Sequence, residues 1–337
     1  MTVNSKKILI VGPSWVGDMV MAQSLFITLK ESDPECHIDV LAPKWSFPLL
    51  DRMPEVSKGI AMPLMHGEFG FSKRRRLGKD LQQAKYDQAI VLPNSWKSAL
   101  IPFFAKIPLR TGYIGEVRWG LLNDVRMLDK QHLTMTVQRF IALGGPKSVE
   151  QTLGYPIPML NIDRHNQQAI TEKFQVELSK KILALCPGAE YGPAKRWPAE
   201  HYAKLAKHIM AQGWTVFLFG SEKDKSVAEQ INGLTGNACQ DFSGKTSLAE
   251  AVDLMSLAEI VVTNDSGLMH IAAALDKKVI AIYGSSDPGF TPPLNASATV
   301  IDLKLDCSPC FKRECPLGHT HCLTEISPDQ VLAEIYK

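Results

Sequence analysis

The residues of this chain with the clearest chemical purpose run Glu259-Ile260-Val261-Val262-Thr263-Asn264-Asp265-Ser266-Gly267-Leu268-Met269-His270. Ile260 to Val262 is short, apolar and β-branched, as a parallel strand covered on both faces should be, and from Met269 onward helix formers recur at helical spacing. Between them Asp265 and Ser266 can cap the helix, while Gly267 removes the side chain that would hold an anion off the backbone amides. Such a helix mouth suits a phosphate, and His270 stands one turn inside it. The same residues would also serve an ordinary capped joint, with His270 as a core histidine, so the neighbouring loops decide.

Two further loops follow strand-like runs. Pro187-Gly188-Ala189-Glu190-Tyr191-Gly192-Pro193-Ala194-Lys195-Arg196-Trp197-Pro198 ends where a helix begins at Pro198, which holds Lys195 and Arg196 within reach of phosphates. Phe219-Gly220-Ser221-Glu222-Lys223-Asp224 puts acids one turn beyond another strand end, where a carboxylate commonly takes ribose hydroxyls. Each loop alone reads as a turn with surface charges. Three on one sheet edge, each with a glycine (Gly188, Gly220, Gly267), point to a nucleoside diphosphate.

In the first half, the strand-like Lys7-Ile8-Leu9-Ile10-Val11-Gly12 leads into Pro13-Ser14-Trp15-Val16-Gly17-Asp18. This loop lacks the middle glycine of G-x-G-x-x-G, and no G-x-x-x-x-G-K-[ST] occurs, which argues against a standard dinucleotide dehydrogenase and a P-loop ATPase. Asp18, at a helix start, is held in its charged form by the amides and the dipole, and can take a proton from a hydroxyl shielded from water. Its plainer role is a helix cap.

Around these loops the chain alternates. Strands are expected at Ile38–Leu41, Gly59–Met62 and Gln88–Leu92, with helices from Asp18 to about Lys30 and at Leu77–Ala84, Trp96–Ala105 and Thr134–Leu143. A stretch from Gly144 to Asn161, holding Gly144, Gly145, Pro146, Gly154, Pro156 and Pro158, reads as a domain boundary. A second alternating set follows: helix Gln167–Phe174, strand Ile182–Cys186, helix Ala199–Gln212, strand Thr215–Phe219, helices Lys225–Leu234 and Leu248–Leu257, strand Ile260–Val262, helix Met269–Leu275 and strand Val279–Tyr283. The expectation is an α/β protein of two Rossmann-like domains, 1–160 and 161–337, facing across a cleft lined by the loops above.

Composition narrows the class. With 45% hydrophobic and 21% charged residues the 337-residue chain is ordinary globular protein, and no apolar run reaches the ~18 residues that cross a bilayer. No signal peptide precedes the first strand, so a cytoplasmic location is expected. Seven cysteines in so large a chain suggest reduced thiols. Cys307, Cys310, Cys315 and Cys322, with His319 and His321, could form a structural zinc site, but only the first pair has C-x-x-C spacing, so packed thiols remain the alternative. Lys and Arg number 21 against 15 Asp and Glu in residues 1–170, and 16 against 20 in 171–337. The positive first half implies an anionic partner, with Lys73-Arg74-Arg75-Arg76 as the densest patch; a solvated helix face is the other reading of that run. A sequence pI near 8.1 and the lack of any recognised motif speak against nucleic acid.

The set Pro13 to Asp18, Pro187-Gly188 through Lys195-Arg196-Trp197-Pro198, Phe219-Gly220-Ser221-Glu222 and Asn264 to His270 resembles the lipopolysaccharide heptosyltransferases, nearly end to end and including the cysteine-rich tail. The resemblance implies a GT-B fold, an N-terminal acceptor domain, a C-terminal ADP-heptose domain, and inverting transfer of L-glycero-D-manno-heptose to a lipid-linked, anionic inner-core saccharide at the inner membrane leaflet. It makes Asp18 the base and Lys195 the cation that offsets charge on departing ADP. Glu222 would hold the ribose, and Asp265, Ser266, Gly267 and His270 would bracket the donor, with Gly188, Arg196 and Gly220 beside them. Lys73, Arg74, Arg75 and Arg76 would meet the acceptor. Where some family members carry hydroxyl residues ahead of the lysine, this chain has Ala189, Glu190 and Tyr191. No cofactor is implied and no D-x-D motif occurs, so metal-independent transfer is expected. A nucleotide-sugar epimerase is the nearest enzyme alternative, and a non-catalytic nucleotide-binding regulator the nearest of another class.

Overall fold

Runs such as Ile8-Leu9-Ile10-Val11 and Ile182-Leu183-Ala184-Leu185-Cys186 are buried at every position, which a strand achieves only when helices cover both faces of its sheet. The computed structural model describes residues 5–64, 67–147 and 152–337 and separates into two units, Met1–Pro158 and Met159–Lys337. Within the expected boundary stretch, residues 148–151 lie outside the described residues.

The first unit holds β1 (Lys7–Val11), β2 (His37–Ala42), β3 (Lys58–Ala61), β4 (Gln88–Val91), β5 (Leu109–Tyr113) and β6 (Asp124–Arg126), all parallel, in the order β3-β2-β1-β4-β5-β6. The second holds β7 (Ile182–Cys186), β8 (Thr215–Leu218), β9 (Gln240–Asp241), β10 (Ile260–Asn264), β11 (Lys278–Ile282) and β12 (Thr299–Ile301), also parallel, in the order β12-β11-β10-β7-β8-β9. Counted from its own first strand, each sheet has the 3-2-1-4-5-6 order of a doubly wound fold. The order reverses between β1 and β4 and between β7 and β10. At each switch point the two flanking loops leave in opposite directions, which opens a crevice at the carboxyl ends of the strands.

Several elements differ from the sequence expectation. The helix Val16–Ser32 begins two residues before Asp18, with Trp15 at its N-cap, so Asp18 lies inside the first turn rather than at the cap. The helix expected at Leu77–Ala84 starts at Phe71 and carries the whole basic run. Strands β5, β6, β9 and β12, the short helix Phe47–Leu50 and the terminal helices His321–Thr324 and Pro328–Ile335 add to the expected set. Leu323, Ile326, Val331 and Ile335 join the second unit's core beside Trp197, Tyr202 and Leu218.

Candidate functional site

The second unit's switch point is laced by one buried amide. Asn264, the last residue of β10 and 0% exposed, accepts at Oδ1 from the Trp197 backbone N–H (3.0 Å) and the Tyr202 hydroxyl (3.1 Å), and donates from Nδ2 to the Pro187 carbonyl (2.7 Å). It thereby ties both ends of the 187–198 loop to the strand across the reversal. Trp197, 1% exposed, anchors the same loop from below, its Nε1 donating to the Ile326 carbonyl at 2.9 Å.

Between those anchors the loop turns Lys195 toward β10. Its ammonium pairs with the Asp265 carboxylate, which also accepts from the Ser286 hydroxyl, and stands 5.0 Å over the Tyr191 ring. Lys195 is 17% exposed and Asp265 6%, so the pair is largely desolvated and geometrically fixed. Asp265 stands immediately before Ser266, the N-cap residue of the helix Gly267–Ala274. The sequence allowed Asp265 or Ser266 to cap that helix; Ser266 makes no side-chain cap hydrogen bond, and Asp265 is engaged by Lys195 and Ser286 instead. A Lys195–Asp265 ion pair therefore sits beside a helix N-terminus whose amides carry no side-chain cap, and those uncapped amides are the part of the arrangement suited to a phosphate.

His270 is buried on this helix. Desolvation holds its imidazole down at about 4; the Asp265 charge opposes the depression and Lys195 adds to it. It is therefore neutral at pH 7.

The third loop is built around Asp224 rather than Glu222. Asp224 accepts at Oδ2 from the Ser221 backbone N–H (2.9 Å) and hydroxyl (2.7 Å), and its Oδ1 lies 3.9 Å from the Arg196 guanidinium. A Cβ at Gly188 would run into this carboxylate and one at Gly220 into its methylene, which explains both glycines by close packing between loops. Glu222 is 72% exposed and pairs with Lys225 at 2.8 Å. Arg196 donates to the Ala189 carbonyl at 3.3 Å, while its Nε is buried without a hydrogen-bond partner.

The tail buttresses the lysine loop. Ala194 N–H donates to the Arg313 carbonyl (3.0 Å), the Tyr191 hydroxyl to the Phe311 carbonyl (2.8 Å), and Phe311 N–H to Ser285 (2.7 Å). Cys307, Cys310, Cys315 and Cys322 are unbridged and line one small cavity with Ala194 and Ser285. Burial and the neighbouring thiols push Cys322 up to about 11. Among the described residues no group of three or more His, Cys, Asp or Glu is arranged to hold a metal ion.

In the first unit, Asp18 is half-buried in the first turn of the helix after β1, at that sheet's switch point. Within the basic run one position differs from the others. Arg74 is 5% exposed and donates to the carbonyls of Phe69 (2.7 Å), Glu68 (3.2 Å) and Lys97 (3.3 Å). It brackets Phe71–Leu81 to the segment starting at Trp96, with its guanidinium committed to these carbonyls. Lys73, Arg75 and Arg76 are exposed, with Lys73 paired to Glu68 at 2.9 Å.

Sequence reasoning missed Asn264, Asp224, Ser286 and the supporting ring of Tyr191 as organisers. Asn264 had a signal in its position, a polar side chain ending an apolar strand, and Asp224 had one in the Ser221-x-x-Asp224 spacing of a capping box.

Comparison with known proteins matches residues 74–321 to the family model for glycosyltransferase family 9 (heptosyltransferase). The chain is 47% identical to lipopolysaccharide heptosyltransferase 2 of Salmonella typhimurium, covering 98% of this chain and 97% of that one. It is 48% identical to lipooligosaccharide heptosyltransferase 2 of Haemophilus influenzae, covering 97% and 98%. Its structure is similar to that of E. coli ADP-heptose lps heptosyltransferase II, with a TM-score of 0.87, 44% identity and coverage of 98% and 97%.

Proposed function

The chain belongs to glycosyltransferase family 9, the heptosyltransferases, and we propose that it transfers L-glycero-D-manno-heptose from ADP-heptose, with inversion, to a lipopolysaccharide inner core already bearing one heptose. The observation that carries this reading is identity of 46–48%, nearly end to end, to four relatives named heptosyltransferase 2. The epimerase alternative has a likeness of fold alone, to a UDP-GlcNAc 2-epimerase at 14% identity and a TM-score of 0.52.

In the proposed step Asp18 takes the proton of the acceptor hydroxyl, and the freed oxygen attacks the anomeric carbon of the heptose from the face opposite the leaving group. The bond from that carbon to the pyrophosphate oxygen breaks, and its electron pair leaves with ADP. Charge grows on the departing diphosphate, and a positioned donor is worth most where charge grows. Lys195, fixed by Asp265 and Tyr191, and the amides of Gly267–Ala274 fill that role. The partly exposed guanidinium of Arg196 is a further donor for the diphosphate. Glu222, whose Oε1 pairs with Lys225, is left with its other carboxylate oxygen for ribose hydroxyls, and Gly188, Gly220 and Asp224 shape the wall of the donor site. Because these groups take the developing charge without a metal, activity is expected to survive EDTA.

The first unit is proposed to receive the acceptor and the second the donor. The exposed Lys73, Arg75 and Arg76 keep the first unit's positive face toward an anionic, lipid-linked partner. No helix among the described residues is long and apolar enough to cross a membrane; contact with the inner leaflet is proposed to be made through this positive face. Mass spectrometry of acceptors incubated with ADP-heptose tests the reading. One heptose should be added to the monoheptosylated core and none to the core lacking heptose. Addition to the bare core would overturn it, and isomerised ADP-heptose formed without acceptor would favour an epimerase.

A further inference from the structure

The first unit carries a continuous ridge of aromatic rings on its surface. Trp96 stacks on Phe69 (centroids 6.2 Å), Phe69 on Phe71 (6.2 Å), Phe71 meets Phe104 edge-on (5.5 Å), and Phe104 meets Phe103 (5.5 Å). Four of the five are conspicuously open: Phe69 is 51% exposed, Phe71 45%, Phe103 39% and Trp96 37%. Scattered apolar residues on a surface need no explanation, but a contiguous patch marks a surface that meets something.

The charges beside the ridge say what. Lys73, Arg75, Arg76 and Lys79 are exposed on the helix Phe71–Leu81 that carries Phe71, and Arg110 stands 5.8 Å over the Phe103 ring. The acids of the same stretch are Glu68, which pairs with Lys73, and Asp80. Arg74, bound to three backbone carbonyls from both sides of the ridge, holds the Phe69 segment against the one starting at Trp96. The rings are thus presented by a fixed scaffold. A small anion would need the cations and not the rings; a purely apolar partner would need the rings and not the cations. Aromatic side chains that settle at the headgroup level, flanked by arginine and lysine that pair with lipid phosphates, match the surface of an anionic bilayer.

We propose that the ridge Trp96-Phe69-Phe71-Phe104-Phe103 is the surface on which this protein rests on an anionic phospholipid bilayer, with Arg75, Arg76 and Lys79 against the headgroup phosphates. The inference deepens the proposed function, on which it rests for a lipid-linked acceptor. It gives these cations the bilayer around the acceptor, rather than the saccharide itself, as their counter-charge.

The test is flotation of the full chain with vesicles of phosphatidylethanolamine and phosphatidylglycerol, against vesicles of phosphatidylcholine, with no acceptor present. Binding is expected to the anionic vesicles, to weaken with salt, and to fall about tenfold in Phe69→Ser/Phe103→Ser. The same variant should keep kcat/KM on a delipidated acceptor within about twofold while losing rate on acceptor embedded in vesicles. Should that variant misfold, the intact protein still gives an answer: brominated lipid should quench part of its tryptophan emission, and Trp96→Phe should remove that part. Equal binding to neutral vesicles, binding indifferent to both substitutions, or binding only when acceptor lipid is included would each overturn the proposal. Failure of the functional reading would show differently, as no heptose transfer to the delipidated acceptor with vesicle binding intact.

Discussion

The two switch points are built in opposite styles. In the second unit the strand-end loops are tied to one another by buried polar side chains: Asn264 spans the reversal, Asp265 holds Lys195 and Ser286, and Asp224 fills the space left by Gly188 and Gly220. In the first unit the segments after β1 and β4 carry exposed Trp15 and Trp96, and the segment after the edge strand β3 adds exposed Phe69, Lys73, Arg75 and Arg76. A small, highly charged ligand rewards the first style, because preorganised donors lose little on binding and need no rearrangement as charge develops. A large partner held in a surface rewards the second, where affinity comes from area and charge rather than from a fitted pocket. The contrast accords with the proposed binding of the donor by the second unit and the proposed resting of the first unit's aromatic ridge on a bilayer.

The sharpest way to break the comparison is at Lys195. Lys195→Ala should lower kcat/KM by about 10²- to 10³-fold, with a rise in the donor's KM, as expected when one preorganised donor to a developing anion is lost. Loss of less than about tenfold would mean that the tied loops do not serve the reaction. Asn264→Ala should come next. It strands the Trp197 N–H and the Pro187 carbonyl in a buried site, so urea unfolding should show a loss of about 2–3 kcal/mol, and donor binding should weaken with it. An unchanged unfolding midpoint would show the lacing to be incidental.

His270 gives the smallest effect and the most specific. Its folded-state value near 4 lies below the 6.5 of an unperturbed imidazole, so between those values the unfolded chain binds the proton and the folded one does not. Stability from this residue is therefore complete above about pH 6.5 and is lost as pH falls toward 4. Between pH 7 and pH 5 it should account for about 2 kcal/mol of destabilisation, which His270→Gln should remove. Equal pH slopes for the two proteins would contradict the burial argument.

Legibility in the sequence followed the strength of the pattern each element imposes. Strand β7 and the helix Lys225–Leu234 have the bounds their residue patterns imply, because a fully covered strand and an amphipathic helix each impose a strong period. β9 and β12 are two- and three-residue edge strands, and such lengths carry no period to read. Lys195 and Asp265 could be marked as strand-end residues, yet their pairing is a tertiary fact set by the β7–β10 adjacency. The third loop shows the same limit: Glu222 and Asp224 look alike in sequence, but only Asp224 packs against Gly188 and Gly220. Arg74 was indistinguishable from Arg75 and Arg76 by charge. Its helical offset of four from Gly78, which packs against Phe104, was the available sign that it points inward.

The most direct measurement of the central claim is Asp18→Asn, assayed for turnover with acceptor and, separately, for ADP-heptose binding by calorimetry. The account predicts kcat reduced about 10³-fold, within the range for loss of a general base, and a donor Kd within about twofold of the parent protein. Turnover within tenfold of the parent, or donor affinity lost in parallel with rate, would contradict it.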